Sequence, residues 1–415
     1  MAEPGSALDG RVRTRLLQTA LGVLVLGDAE QMTVKVAGRI ETISADAWDA
    51  CANPETHPYN PFLSHAFLNA LEQSGSVGDG TGWHPQHLVL EGPNGAVAGV
   101  MPLYLKTDSH GEYVFDHAWA DALERAGGSY YPKLQCAVPF TPVPGRRILA
   151  RPGPNEAQVE HILAAASVAV AERIEASSVH VTFLTEGEWR RLGETGFLQR
   201  TGQQFHWENA GYRTFDDFLA TLSSRKRKAI RKEREEAQAG VEIVSVTGRD
   251  ITEAHWDAFF AFYMDTGMRK WGRPYLNREF FSLLGAALAD RCLLVFAREG
   301  DTFVAGALHL IGGDCLYGRY WGETRHHPFL HFELCYYQAI DYAIAHGLAR
   351  AEAGAQGGHK LARGYLPETT YSLHWIADPR LEAAVARYLA QERREIEAVN
   401  AVLRDRGPYK KDNPA

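Results

Sequence analysis

HFELCYYQAIDYAIAHGLARAEAGAQGGHKLARGYL, residues 331–366, reads as a helix, a short strand and a glycine-rich turn. Leu334, Tyr337, Ala339, Ile340, Ala343 and Ile344 recur at helical spacing, which predicts one buried face. Glu333 falls in the first turn, where a carboxylate suits the positive end of the helix dipole, and Gly347 supplies the stop. The run Ala349 to Ala353 then carries Glu352 where a strand buried on both faces would place an apolar residue. Gln356-Gly357-Gly358-His359-Lys360 follow, with Arg363 three residues on. One polar residue in a turn is ordinarily solvated. This many, closing a strand–turn unit, form the pattern of a ligand site.

Outward from that stretch the chain repeats itself. GFLQRTGQQFHW from Gly196 and GYLPETTYSLHW from Gly364 share Gly, Leu, Thr, His and Trp in register, pairing Leu198 with Leu366, His206 with His374 and Trp207 with Trp375. Each follows a long helix and a short strand, Glu156–Ala176 then Val179–Leu184 in the first half. Upstream, His87–Glu91 and Ala96–Leu105 read as two strands of a hairpin around Gly92-Pro93-Asn94-Gly95. Cys292–Ala297 and Thr302–Leu310 return around Gly300-Asp301, and both second strands contain Val-Ala-Gly. Two matches in the same order predict two copies of one α/β unit.

Between the copies, SSRKRKAIRKEREEAQAG (223–240) should be helical up to Gly240. Arg225 to Lys232 holds six cations and no acid. Such runs are usually solvated helix faces, but here Arg225, Lys226, Arg227, Lys228 and Arg231 also make a local phosphate-attracting surface. The net charge of the 415-residue chain is −8, which argues against a nucleic-acid-coating surface and against DNA as a partner. Its 45% hydrophobic content is that of a globular protein, and no apolar run approaches a membrane span. Five cysteines without metal-type spacing point to a reducing, cytoplasmic setting. Residues 1–31 combine Arg11, Arg13 and Arg15 with an apolar stretch interrupted by Gln18, Thr19 and Gly22, and read as an extension ahead of the true start rather than as a signal. Leu381 to Arg404 carries an apolar stripe expected to pack on the second copy.

The duplicated unit, the basic segment and the 331–360 stretch together resemble the FemAB-related N-acyltransferases, a family labelled peptidoglycan biosynthesis or recognition. The resemblance runs from about Met32 onward. It implies an α/β (α+β) chain of two tandem GNAT-like (acyl-CoA N-acyltransferase) domains with mixed sheets, an acyl donor lying where central strands splay apart. The expected organisation is 32–212, a basic connector 213–240, 241–380 with the main site, and 381–415 as C-terminal helix and tail. By the same resemblance, Arg225 to Arg234 is similar to the basic segment of aminoacyl-transferring Fem enzymes, and Lys360 falls where those enzymes carry a lysine that stabilises charge during transfer. The chain departs from the wider superfamily in lacking a Gln/Arg-x-x-Gly-x-Gly/Ala loop for a pyrophosphate. Arg325-His326-His327-Pro328 stands there in the second half, and Pro144-Gly145-Arg146-Arg147 is the nearest approach in the first.

Acyl transfer to an amine needs a base for the amine proton and donors for a tetrahedral oxyanion. Glu352 and His359 are the candidate bases, Lys360 and Arg363 the candidate stabilisers, and the N–H groups of Gly357 and Gly358 candidate oxyanion donors. Asp116 beside His117 is a further acid/base candidate from the first copy. Glu333, Gln356, Arg319, Tyr320, Trp321, His117, Tyr131 and Lys133 are expected to contact substrate, the aromatics among them suggesting an apolar groove. His326, His327, His331 and Glu333 lack the spacing of a metal site, and no metal is expected. No tightly bound cofactor is expected either, with acyl-CoA as co-substrate. The expected function is transfer of an acyl group to an amine of a lipid or cell-envelope precursor, in the cytoplasm or at the inner face of an acidic membrane. A charged-tRNA donor with a peptidoglycan precursor is the alternative enzyme, and a non-catalytic recognition protein the alternative class.

Overall fold

A computed structural model of the chain describes residues 32–271, 274–355 and 357–410. The extension expected over 1–31 and the site candidate Gln356 lie outside the described residues. The first half gives β1 (Thr33–Ala37), β2 (Trp83–Pro85), β3 (His87–Glu91), β4 (Val97–Met101), β5 (Leu103–Lys106), β6 (Lys133–Cys136), β7 (Leu149–Ala150), β8 (Ser178–Leu184) and β9 (Leu198–Glu208). The second gives β10 (Glu242–Thr247), β11 (Cys292–Glu299), β12 (Thr302–Ile311), β13 (Cys315–Glu323), β14 (Arg350–Glu352) and β15 (Leu366–Ile376). These strands make one sheet in the order β10-β11-β12-β13-β14-β9-β15-β8-β6-β5-β2 and a smaller one in the order β1-β3-β4-β7. The main sheet is mixed, with β13–β14 and β6–β8 parallel and its other pairs antiparallel. The chain is thus a mixed α/β protein with mixed sheets.

The two repeat segments become β9 and β15, and they exchange places. β9 pairs with β14 of the second half, and β15 pairs with β8 of the first, while β9 and β15 pair with each other. Gly202 sits opposite Thr370, its own counterpart in the repeat, so a local twofold axis passes between them. A Cβ at Gly202 would come within 2.9 Å of Thr370 Oγ1, which explains a glycine in the middle of an eleven-residue strand. The units expected at 32–212 and 241–380 therefore share one continuous sheet.

The hairpin expectation holds for β11–β12 and for β3–β4, but the second strand of the first hairpin is shorter than expected. The single strand expected over 96–105 is interrupted at Pro102, which has no N–H to give a ladder. β4 stays in the small sheet with β3, and β5 crosses into the large one. Helix Glu156–Arg173 covers the first half through Val159, Ile162, Leu163 and Val170. In the second half, helix Glu253–Trp271 packs Phe259 and Phe262 against Leu308 and Leu310 on one face of the sheet. The helix of the 331–366 stretch packs Leu334, Tyr337 and Ile340 against Leu293, Val295 and Leu316 on the other.

The C-terminal helix, Pro379–Asp405, does not pack on the second copy alone. Leu381, Val385 and Leu389 meet Trp119, Leu123 and Tyr130 of the first half. Arg200 of β9 holds Glu392 with two bonds of 2.8 and 2.9 Å. Asn400 reaches both Gln203 of β9 and Thr369 of β15. The helix braces the exchanged strands.

Each half contains one parallel pair whose strands part after three paired residues, and the two openings have different fates. β6 and β8 pair at Leu134–Val179, Gln135–His180 and Cys136–Val181. The gap beyond is closed by residues 142–148, with Gly145 N–H donating to Phe183 O at 3.0 Å. Arg147 is wholly buried there, and its guanidinium donates to the carbonyls of Thr182, Gly145, Arg146 and Val143. Glu188 takes the N–H groups of Arg147 and Ile148 at 2.8 and 2.9 Å. Pro144-Gly145-Arg146-Arg147 is thus a plug, not a phosphate loop. Arg147→Ala should leave several buried carbonyls unpaired and lower stability by on the order of 3 kcal/mol in urea titrations; a loss below about 1 kcal/mol would mean the plug is not structural.

Candidate active site

In the second half the equivalent opening is empty of protein. β13 and β14 pair at Cys315–Arg350, Leu316–Ala351 and Tyr317–Glu352 and then part. A cavity of about 460 Å³ fills the space between Gly318–Trp321 on one side and Ala353–Ala355 on the other. His331, Cys335 and Tyr336 of the helix close one face, and Tyr263 and Thr266 of the opposing helix the other. Tyr113, Phe115, Phe140 and Pro142 form a wall contributed by the first half. A second, more apolar chamber of about 430 Å³ adjoins it, sharing Tyr113, Phe115, Ala355 and Gly357 and reaching Phe205 and Leu403.

Lys360 lies at this cavity, 2% exposed, on the short helix Gly358–Arg363. Its Nζ donates to Gly354 O at 2.9 Å and to Ala355 O at 3.4 Å. Burial, reinforced by the Arg319 guanidinium, pushes the Lys360 ammonium down to about 7. His359 Nε2 lies 2.9 Å from Tyr336 Oη, and both line the cavity. Arg319, Tyr320 and Trp321 line it as well. Arg319 Nη1 donates to Gly318 O at 2.8 Å, Tyr320 Oη to Phe140 O at 3.0 Å, and Trp321 lies against the His331 ring.

The remaining candidates are engaged elsewhere. Glu352 is buried behind the cavity wall between Arg319 and Arg350, at 3.5 Å from each, and acts as a brace for those guanidiniums. Arg363 turns away to Glu233 of the basic helix, with Nη2 at 2.9 Å, and its guanidinium covers the Phe332 ring at 3.3 Å. Glu333 is wholly buried and saturated by Arg234, Gln238 and Gln338. Neither Arg363 nor Glu333 reaches the cavity because each ties the basic helix to the core.

Asp116, Tyr131 and Lys133 belong to a separate buried cluster beneath the loop that carries Tyr113 and Phe115. Lys133 Nζ donates to Ser109 Oγ at 2.8 Å, Glu112 Oε2 at 2.7 Å, and Asp116 Oδ2. Tyr131 Oη lies 2.8 Å from Ser109 Oγ, and Tyr130 Oη donates to Asp116 at 2.7 Å. Burial alone would raise the Asp116 carboxyl, but Lys133 and His180 hold it well below the usual carboxylate range. His117 is exposed at the start of the following helix, stacked on Phe115. This cluster anchors the first-half wall rather than facing the cavity.

The basic segment forms helix Ser224–Ala237, as its sequence predicts. Arg231 pairs with Asp216 at 2.8 Å, while Arg225, Lys226, Arg227 and Lys228 have no acidic partner among the described residues. Arg325, His326 and His327 are neutralised instead. Arg325 and His327 face Glu299, and His326 faces Glu323. Among the described residues no group of three His, Cys, Asp or Glu side chains is arranged to hold a metal, and no helix is long and apolar enough to cross a membrane.

A family model described as FemAB-like, peptidoglycan biosynthesis/recognition, matches residues 39–411. The chain belongs to the FemAB-like family. No curated protein matches it. Among solved structures, FemX resembles this FemAB-like chain with a TM-score of 0.52 at 13% identity, covering 83% of it and 98% of FemX. The C-terminal domain of a putative lysylphosphatidylglycerol synthetase from Agrobacterium fabrum gives 0.50 at 8% identity, covering 84% and 96%. A tandem GNAT protein from the clavulanic acid pathway gives 0.45 at 10%, covering 84% and 99%. At such identities the likeness to FemX and to the synthetase domain is one of fold.

Several cavity residues of the FemAB-like chain escape sequence reading. Phe140, Pro142, Tyr263 and Thr266 come from elements that only the three-dimensional structure brings together. His309 left one signal, as the single polar residue in the apolar run Val304–Ile311 of β12. The Lys360 environment makes a sign-definite test. Below pH 7 folded and unfolded chains both hold its proton, and the folded chain bears the full burial penalty. Between about 7 and 10.5 the unfolded chain binds more protons, so stability rises with pH across that window. Lys360→Met should flatten that rise in urea titrations, and an unchanged slope would mean that Lys360 titrates normally.

Proposed function

We propose that the chain transfers an acyl group from an activated donor to an amine carried by a lipid or cell-envelope precursor, at the inner face of a membrane. The observation that carries this reading is the Lys360 amine, buried in the opening between β13 and β14 and poised near neutrality. A neutral lysine has two N–H donors and one lone pair. Gly354 O and Ala355 O take the two donors, which leaves the lone pair for the cavity. The acceptor nitrogen attacks the donor carbonyl carbon, and Lys360 takes up the proton that the nitrogen must lose. The ammonium so formed faces the oxyanion and returns the proton to the leaving group as its bond to the carbonyl carbon breaks.

The adjoining apolar chamber, with Phe205 and Leu403, supports an apolar chain on one of the two substrates. Acyl-CoA is one donor of the right class. A charged tRNA is the second reading, favoured by Arg225, Lys226, Arg227 and Lys228. These cations occupy the first turns of a helix, where the macrodipole disfavours positive charge, and a polyanion would offset that. The inner-face placement rests on the same charges.

A panel of acyl-CoAs and aminoacyl-tRNAs, mixed with amine acceptors and read by mass spectrometry, tests the reading. The true donor should also raise the melting temperature by mass action. Lys360→Met should fold and lose on the order of 10²–10³ in turnover; turnover within a few-fold of wild type would reject its role.

A further inference from the structure

No step of the transfer reading uses His309, although its ring lines the same cavity as Gly318, Arg319, Cys335 and Lys360. It is 1% exposed, and its Nε2 lies 3.1 Å from Leu334 O. A carbonyl oxygen only accepts, so Nε2 carries the hydrogen and Nδ1 keeps a bare lone pair. Leu334 stands in the π-helical turn Glu333–Tyr337, where Gln338 N–H reaches back five residues to Glu333 O. Such turns rephase a helix locally and recur at functional positions.

Nδ1 has no hydrogen-bond partner among the described residues. Its cross-strand neighbour is Gly318, the residue at which β13 leaves β14. A Cβ at that position would come within 3.3 Å of Nδ1, so any side chain there would crowd this edge of the buried ring. Burial, with the Arg319 charge adding to it, pushes the imidazole down to about 4. At neutral pH it is an acceptor there and not a cation. A buried acceptor without a partner is uncommon in a folded protein, and a site that hydrogen-bonds a ligand N–H is one setting that explains it.

We propose that His309 Nδ1 accepts an N–H from the substrate, so that the floor of this cavity selects a nitrogen-bearing group, an amine or an amide, over an ester, ether or hydrocarbon. The inference rests on the transfer reading and deepens it. With one N–H held by Nδ1, the attacking amine has its lone pair directed away from His309 and its second proton free for Lys360. His309 is then a specificity-determining residue, and its hydrogen bond to Leu334 fixes the tautomer that makes it one.

Octanamide and methyl octanoate have matched chains and differ in the N–H, and their calorimetric binding to the full chain tests the assignment. Wild type is expected to favour the amide at least tenfold. His309→Gln keeps an amide N–H for Leu334 O and removes the acceptor from the cavity, so the preference should vanish with the melting temperature unchanged. His309→Asn does the reverse, putting Oδ1 where Nδ1 stood, and should retain the preference. A wild-type chain that does not favour the amide, a His309→Gln chain that still does, or a His309→Asn chain that does not, overturns the assignment. The readout is binding, so that failure leaves acyl transfer standing. Amide preference without turnover of any donor would reject the transfer reading alone.

Discussion

The pairing of β9 with β15 is the constraint on which the rest of the molecule depends. Nine consecutive residue pairs join the two strands, antiparallel about Gly202 and Thr370. Each strand then gives its outer edge to the other half, β9 to β14 and β15 to β8. A sheet of eleven strands results, and with it a fixed spacing between the two parallel openings. Backbone hydrogen bonds set this geometry, and the C-terminal helix clamps it through Arg200, Gln203 and Thr369.

From that symmetric frame the halves diverge chemically. His180 in β8 and Glu352 in β14 occupy corresponding places, one facing His374 and the other facing His206. On the first side the opening is filled by Arg147 and its carbonyl partners, and nearby a network of Lys133, Glu112 and Asp116 ties down the crossing loop. On the second side Glu352 binds Arg319 and Arg350, and the space beyond stays open for Lys360. The first half supplies wall and anchor, and the second holds the open cavity. The burial that would make Asp116 a poor carboxylate is overcome by the Lys133 ammonium, whereas Lys360 has carbonyl oxygens and a like charge for company. Opposite surroundings give one group a fixed charge and the other a mobile proton.

Much of this was legible in the sequence because repeats and periodicity are local. The 196 and 364 segments announced the doubling, the basic helix was where its composition put it, and the glycine turn carried the lysine at the cavity. What the sequence could not convey was partnership across the chain. Arg363 and Glu333 read as site residues because they are polar beside a turn, and their partners Glu233 and Arg234 lie 130 and 99 residues earlier. Pro102 was readable as a strand interruption, but the departure of β5 into another sheet depends on long-range packing. His309 hid inside an apolar strand, where only the carbonyl of Leu334 and the missing side chain of Gly318 give it meaning.

The exchange of β9 and β15 has an evolutionary corollary. After a duplication, a copy relieved of its chemistry is ordinarily free to drift. Here the first half lends β9 to the second, where His206 lies across from Glu352, one strand away from the open cavity. A substitution in β9 therefore bears on the cavity of the second half as well as on the fold of the first, so neither half can be altered there alone.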